Sequence, residues 1–252
     1  MGALHKGHIS LIHRALMECD RVAASVFVNP LQFNDKNDLA RYPRQLERDR
    51  ALLEGSGCHM LFAPTEAGIF GGFQPMEYEI GGLDRILEGA FRPGHFQGVL
   101  NAVERLCHFV RPDKAYFGLK DRQQFAVIRK VSEQLNWPVE VIGCPTIRDD
   151  DGLALSSRNQ LLDAELRAEA MSLYKSLRAA EALAFKGDVR EARKAGSMVL
   201  QATSGIKVDY FEITDPVTLH PLESWGAEND AVALVAASVG NVRLIDNLDL
   251  HR

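Results

Sequence analysis

A chain of 252 residues is long enough for one large domain or two modest ones, with a sizeable core. Its 46% hydrophobic and 25% charged residues are ordinary for a globular protein, and a net charge of −5 argues against a nucleic-acid partner, which shows as a basic stripe. No apolar run approaches the ~18 residues of a membrane span, no signal-peptide core opens the chain, and Cys19, Cys58, Cys107 and Cys144 are scattered without a C-x-x-C pair, so a cytoplasmic protein with reduced, buried thiols is predicted.

The chain opens Met1-Gly2-Ala3-Leu4-His5-Lys6-Gly7-His8 and runs straight into an amphipathic stretch from Ile9 to Leu16. If that stretch is a helix, both imidazoles fall in its first turn, where unpaired N–H groups and the helix dipole attract phosphates. A pair of surface histidines and an i,i+3 metal pair are the rival readings, the latter weakened by the lack of an acidic or cysteine partner nearby in sequence. Residues 22–28 form a continuous apolar run of strand length, fitting a parallel strand buried on both faces. It ends at Asn29-Pro30-Leu31-Gln32-Phe33, a polar-aromatic loop at a strand's carboxyl end, where α/β sheets bind ligands. Gln32 can donate and accept at once, which suits a hydroxy acid.

A helix is predicted from near Pro43 through Glu54, closed by Gly55 and Gly57, followed by a short strand at 59–63. The next thirty residues are glycine-rich and read as loop, with a short strand at 77–80. Phe96, Val99, Leu100, Val103, Leu106, Cys107 and Val110 then follow helical spacing. A strand at 114–118, a helix at 122–136 with Phe125, Ile128, Val131 and Leu135 inward, and a strand at 139–144 complete an alternation that signals a parallel α/β sheet. Between strand and helix lies Gly118-Leu119-Lys120-Asp121, where Lys120 can place its charge on a phosphate, Asp121 can cap the helix, and Gln124 falls one turn beyond Lys120. After a polar turn at 149–152, Leu155-Ser156-Ser157-Arg158 offers two hydroxyls and a guanidinium as a phosphate clamp. Long helices at 163–186 and 188–204 and strands at 208–214, 231–239 and 242–250 follow, the pattern of an α+β domain with an antiparallel sheet. The boundary is placed at 147/148.

Taken in order, MGALHKGH, FVNPLQFN, ARYPR, FRPGHFQGV, PDKAYFGLKDRQQ and GLALSSRN resemble the pantothenate synthetase (pantoate–β-alanine ligase) family, within the nucleotidylyltransferase superfamily that shares the HxGH signature. The resemblance implies an α/β chain with a Rossmann-like nucleotide- and pantoate-binding domain at 1–147 and a smaller C-terminal α+β lid domain at 148–252. It also implies a strand ahead of Met1, interior to the sheet, whose absence leaves backbone edges unpaired beside the ATP-binding turn. The implied reaction has two steps. Pantoate attacks the α-phosphate of Mg-ATP to give pantoyl-adenylate and pyrophosphate, and the β-alanine amine then displaces AMP to give pantothenate.

By resemblance, Met1, Gly2, Ala3, Leu4, His5, Lys6, Gly7 and His8 form an ATP-binding turn, with His8 as proton donor and His5 and Lys120 sharing catalysis. Gly118, Leu119, Lys120, Asp121, Ile147, Leu155, Ser156, Ser157 and Arg158 supply the other ATP contacts. Gln32 and Gln124 hold pantoate, and Gln32 also faces β-alanine. Mg2+ accompanies ATP, no resident metal ligand is implied, and the family is homodimeric. Leu119 and Leu155 depart from the residues usual in the family, at sites that use backbone contacts. Two other readings stand beside this one: an adenylyltransferase acting on another small acid, and an N-terminally truncated, weakly active or inactive paralogue.

Overall fold

The computed structural model describes residues 2–34, 36–226 and 229–252, the side chain of residue 36 excepted. In chain order the elements are α1 (Lys6–Glu18), β1 (Ala23–Ser25), α2 (Lys36–Arg41), α3 (Leu46–Gly55), β2 (Met60–Phe62), α4 (Glu66–Phe70), α5 (Leu87–Phe91), α6 (His95–Val110), β3 (Lys114–Gly118), α7 (Arg122–Gln134), β4 (Glu140–Cys144), α8 (Ala164–Leu183), α9 (Val189–Gln201), β5 (Ile206–Thr214), β6 (Asp230–Val239) and β7 (Val242–His251). Short 3-10 turns cover Pro30–Gln32, Leu119–Asp121 and Ser157–Leu161. Two compact units result: one of Met1–Leu119 with Gln123–Ile147, the other of Lys120–Arg122 with Arg148–Arg252.

The first unit is parallel α/β. β1 pairs with β2 in parallel, Ala24 opposite Leu61, and β3 pairs with β4 in parallel, Tyr116 opposite Ile142. The two pairs are separate two-stranded sheets, and among the described residues no strand bridges them. The run 22–28 yields a strand of only three residues because its partner β2 is equally short. One further bond, from Val26 N–H to the Phe62 carbonyl at 2.9 Å, extends the pairing before Asn29-Pro30 turns the chain. Around this pair Leu4, Ile12, Ala15, Val22, Ala24 and Leu53 form a buried cluster joining α1 and α3.

The glycine-rich stretch departs from expectation. It contains α4 and α5, and no strand forms at 77–80. The segment Met76–Tyr78 is bonded by side-chain amides of α6 instead. Asn101 accepts from Met76 N–H at 2.8 Å and donates to Met76 O at 2.9 Å, and Gln97 does the same for Tyr78 at 2.9 and 2.8 Å. Two residues one helical turn apart thus replace a partner strand. α2 was likewise absent from the expected elements. Leu135 is half exposed, where the periodicity predicted an inward residue, because α7 stops at Gln134 and Asn136 turns into the left-handed region at φ 50°. Cys144 is buried, while Cys19, Cys58 and Cys107 are partly exposed, and all four are free thiols.

The second unit is α+β. β5, β6 and β7 form an antiparallel sheet in that order, with β6 central, and α8 and α9 pack on it. Leu173, Leu177, Val189, Leu200, Ile213, Val235 and Leu250 belong to its continuous core. Asp163 starts α8 by accepting from Leu166 N–H at 2.9 Å, and Asp188 starts α9 by accepting from Arg190 N–H at 2.8 Å, as helix N-terminal carboxylates do. The chain contains no helix long and apolar enough to cross a membrane among the described residues.

Candidate active site

The two histidines of the opening motif are built into the start of α1. His5 precedes the helix in an extended conformation, and its Nδ1 accepts from Gly7 N–H at 3.2 Å. His8, three residues on, accepts from His5 N–H through its own Nδ1 at 3.3 Å, and the rings lie 4.0 Å apart. This is a capping box in which imidazoles replace the usual hydroxyl and carboxylate. A nitrogen that accepts from a backbone N–H is bare, so each neutral ring carries its proton on Nε2. The pair therefore combines two Nε2–H donors with the positive end of a helix, a setting suited to phosphate oxygens.

A residue the sequence reading passed over holds this turn in place. Asp49 on α3, 1% exposed, accepts from Ala3 N–H at 2.9 Å and from Leu4 N–H at 2.6 Å. Ala3 has φ 49°, a left-handed conformation costly for a residue with a Cβ, and the carboxylate bonds support it. Gly2 sits against Val28, where a Cβ would lie 3.4 Å from the valine methyl, so the turn adjoins the segment that follows β1. Met1 lies outside the described residues.

Beyond β1, buried Asn29 organises the next loop. Its Oδ1 accepts from Leu31 N–H at 3.1 Å, and its Nδ2 donates to Gln32 Oε1 and to the Gly98 carbonyl, both at 3.0 Å. With Gln32 Oε1 engaged by Asn29, the Gln32 amide is oriented with its NH2 end away from that residue. α6 packs directly on this loop. Gln124 is half-buried on α7, next to Gln123, whose buried amide bonds Leu83 O, Ile86 O and Glu88 N–H at 2.6, 3.0 and 2.9 Å.

In the second unit, Lys120, Leu153, Ala154, Ser156, Asn159 and Asp246 line one small pocket. Asn247 donates to the Lys120 carbonyl at 2.9 Å, and Lys120 Nζ lies 3.5 Å from Asp121 Oδ1. Beneath them Arg148 forms a two-pronged pair with buried Asp246 at 2.6 and 3.0 Å, and donates to Asn247 O at 2.9 Å. Burial pushes the Asp246 carboxyl up from its usual range, opposed by the Arg148 bonds and the Lys120 charge. Ser156 Oγ accepts from Arg158 N–H at 3.2 Å, and Asn159 Nδ2 donates to Ala154 O at 3.0 Å while its buried Oδ1 meets no partner among the described residues.

Thus His5 and His8 are brought together in one unit, and Lys120 and Ser156 in the other. Lys120 lies in the 3-10 turn ahead of α7, so the one-turn helical spacing expected between it and Gln124 does not apply. Gly118 ends β3, Leu119 opens that turn, Leu155 and Arg158 are half-buried, Ser157 is buried, and Ile147 is exposed. Asp49, Arg148 and Asp246 were missed because their partners lie 45 to 98 residues away in sequence. Among the described residues no group of three or more His, Cys, Asp or Glu is placed to hold a metal ion.

Parallel α/β strand pairs, a helix start capped by two histidines, and a lysine–serine pocket on an α+β unit place the chain in the α/β class, with a helix start suited to binding anions. Within it, the family profile described as pantoate-beta-alanine ligase matches residues 1–249. The pantothenate synthetase of Bacteroides thetaiotaomicron is 44% identical over 248 residues, spanning 98% of this chain and 88% of that protein. The crystal structure of pantothenate synthetase from Thermus thermophilus superposes with a TM-score of 0.96 at 48% identity, covering 100% of this chain and 91% of that one. The pantoate-beta-alanine ligase of Francisella tularensis, solved in complex with beta-gamma ATP and beta-alanine, gives a TM-score of 0.79 at 36% identity over 98% of this chain and 86% of that one. The chain belongs to the pantoate–β-alanine ligase family.

Proposed function

We propose that this chain condenses pantoate with β-alanine through a pantoyl-adenylate, as an AMP-forming carbon–nitrogen ligase. The observation that carries the reading is the histidine capping box, which commits both Nδ1 atoms to backbone N–H groups and sets both ring protons on Nε2. In the first step a pantoate carboxylate oxygen attacks the α-phosphorus of ATP and the bond to the β-phosphate's bridging oxygen breaks, releasing pyrophosphate. Charge builds on the phosphate oxygens as this bond exchange proceeds. His5 and His8 answer it with N–H donors at a helix start, His8 as the proton donor, and Lys120 adds a full positive charge. In the second step the β-alanine amine attacks the acyl carbon, AMP leaves with the electron pair of the acyl–oxygen bond, and the amine loses a proton.

Gln32 and Gln124 hold pantoate, and Gln32 also serves β-alanine. The turn from Met1 to His8, Gly118 to Asp121, Ile147 and Leu155 to Arg158 contact ATP. Residues 1–147, which include the 120–122 turn that clusters with the second unit, are the nucleotide- and pantoate-binding domain, and residues 148–252 the lid domain. Mg2+ would accompany ATP and would be held by the nucleotide's phosphates and water. Family resemblance supports a homodimer, and reduced thiols with no membrane-spanning helix among the described residues support a cytoplasmic location.

Pantoate-dependent exchange of pyrophosphate into ATP, followed by β-alanine-dependent AMP release, tests the reading. Exchange with other small acids but not with pantoate would overturn it. In the same assay Lys120→Ala is expected to abolish exchange while leaving ATP binding largely intact, because its charge serves the transition state. Lost binding with an unchanged chemical step would refute that role.

A further inference from the structure

The segment Phe91-Arg92-Pro93-Gly94-His95 has no part in the functions assigned above, yet it bonds the candidate substrate loop, where Asn34 donates to the Pro93 carbonyl and two of its side chains converge on one atom of Gln32. His95 Nδ1 lies 2.9 Å from the Gln32 carbonyl oxygen, and Arg92 Nη2 donates to the same oxygen at 3.2 Å. Arg92 Nη1 lies 3.2 Å from His95 Nε2. A carbonyl can only accept and a guanidinium can only donate, so His95 carries its proton on Nδ1 and keeps Nε2 bare. Both lone pairs of the Gln32 carbonyl are thereby used. His95 and Glu88 are each 5% exposed, and the Glu88 carboxylate lies 3.7 Å from Arg92 Nη1, balancing the guanidinium charge. From the other side Asn29 holds the Gln32 side chain by its Oε1 at 3.0 Å.

We propose that His95 and Arg92 are positioning residues for substrate. They fix the Gln32 main chain while Asn29 fixes its amide, so the Gln32 NH2 is preset as a donor to an incoming carboxylate or hydroxyl. The proposal rests on Gln32 holding pantoate. Preset donors avoid the ordering cost of a mobile glutamine, and that saving is realised when the acid binds. The bonds of this network converge on Gln32, the candidate pantoate residue, so its loss is expected to act on that substrate.

The test measures KM for pantoate and for MgATP, with kcat, in pyrophosphate exchange by the full chain and by His95→Ala, His95→Asn, Gln32→Ala and the double variant Gln32→Ala/His95→Ala. His95→Ala should raise KM for pantoate about tenfold, the ratio expected for one lost buried hydrogen bond, and leave KM for MgATP unchanged. In His95→Asn the amide NH2 takes the place of Nδ1–H, so most of the pantoate affinity should return. The double variant should be no worse than Gln32→Ala, since positioning is worthless without the positioned group. Equal rises in both KM values, or a normal pantoate KM in His95→Ala beside a raised one in Gln32→Ala, would overturn the proposal. A normal pantoate KM in Gln32→Ala itself would overturn the assignment of Gln32, and the proposal with it. Nitrogen-15 shifts of the unaltered protein give an independent readout, where a His95 ring protonated on Nε2 would rule out the network.

Discussion

At the scale of single residues, the site depends on groups that keep backbone donors occupied. Asp49 is the clearest case, because one buried carboxylate accepts from the consecutive N–H groups of Ala3 and Leu4. In Asp49→Ala both donors lose their acceptor, at a cost of about 1–3 kcal/mol each. The strained φ at Ala3 loses its support at the same time. Asp49→Ala is therefore expected to lower the melting temperature and to weaken MgATP binding more than pantoate binding. Thermal melts and nucleotide titration check this, and unchanged MgATP affinity would show that the turn holds its shape without the clamp. Cys107 gives a second residue-level expectation, in the alkaline range. Burial, aided by the Glu104 charge, pushes its thiol up from 9.0 to about 11. The folded chain holds this proton more tightly than the unfolded chain. The stabilisation is full below pH 9.0 and is lost as pH rises to about 11, amounting to about 2–3 kcal/mol. Denaturant midpoints across that window should fall less steeply in Cys107→Ala than in the unaltered chain.

At the scale of elements, the contact between α6 and the 30–32 turn leaves no room for a side chain at Gly98. A Cβ on Gly98 would lie 2.1 Å from Leu31 O, 2.4 Å from Leu31 C and 2.8 Å from Gln32 N. All three are backbone atoms, so no side-chain rotation relieves the overlap. Gly98→Ala should cost about 1–3 kcal/mol or more by overpacking and raise KM for pantoate, because the displaced turn carries Gln32. A folded Gly98→Ala with normal melting temperature and normal KM would contradict this account. Sequence periodicity exposed α6, α7, β3 and β4 because their apolar residues repeat within one element. It failed at Met76–Tyr78, where the hydrogen-bond partners are Gln97 and Asn101 and not a neighbouring strand. The short α2, α4 and α5 were illegible for a related reason, since five or six residues are too few to establish a period. The candidate site divides in the same way. His5, His8, Asn29, Gln32, His95, Lys120 and Ser156 were legible as motif residues, whereas Asp49 was not, and the bonds of Asp49, His95 and Asn29 reach backbone groups 45 to 69 residues distant. No local pattern encodes such a partner.

At the scale of the whole molecule, the two units differ in how completely their sheets are paired. β6 lies between β5 and β7, bonded along both edges, and Val232, Ala233, Val235, Ala236 and Ala237 have no measurable exposure. α8 adds a fully buried row of Ala170, Leu173, Leu177 and Ala180 against the same core. In the first unit β1 and β2 run three residues each and β3 and β4 five, every strand is bonded along one edge only among the described residues, and only Ala24 and Cys144 within the four strands are buried. Backbone hydrogen bonds that water can reach open at low cost, whereas bonds inside a sealed sheet open only when the surrounding unit unfolds. Amide hydrogen exchange followed by mass spectrometry is therefore expected to be slowest in β6 and the middle of α8, and markedly faster in β1 and β2. β3 and β4 should fall between these limits, as Tyr116 and Ile142 are half-buried at the centre of their pair. If peptides covering β1 and β2 exchange as slowly as those covering β6, the edges of the first unit are protected by contacts other than strand pairing, and the difference in stability between the units inferred from their sheets does not exist.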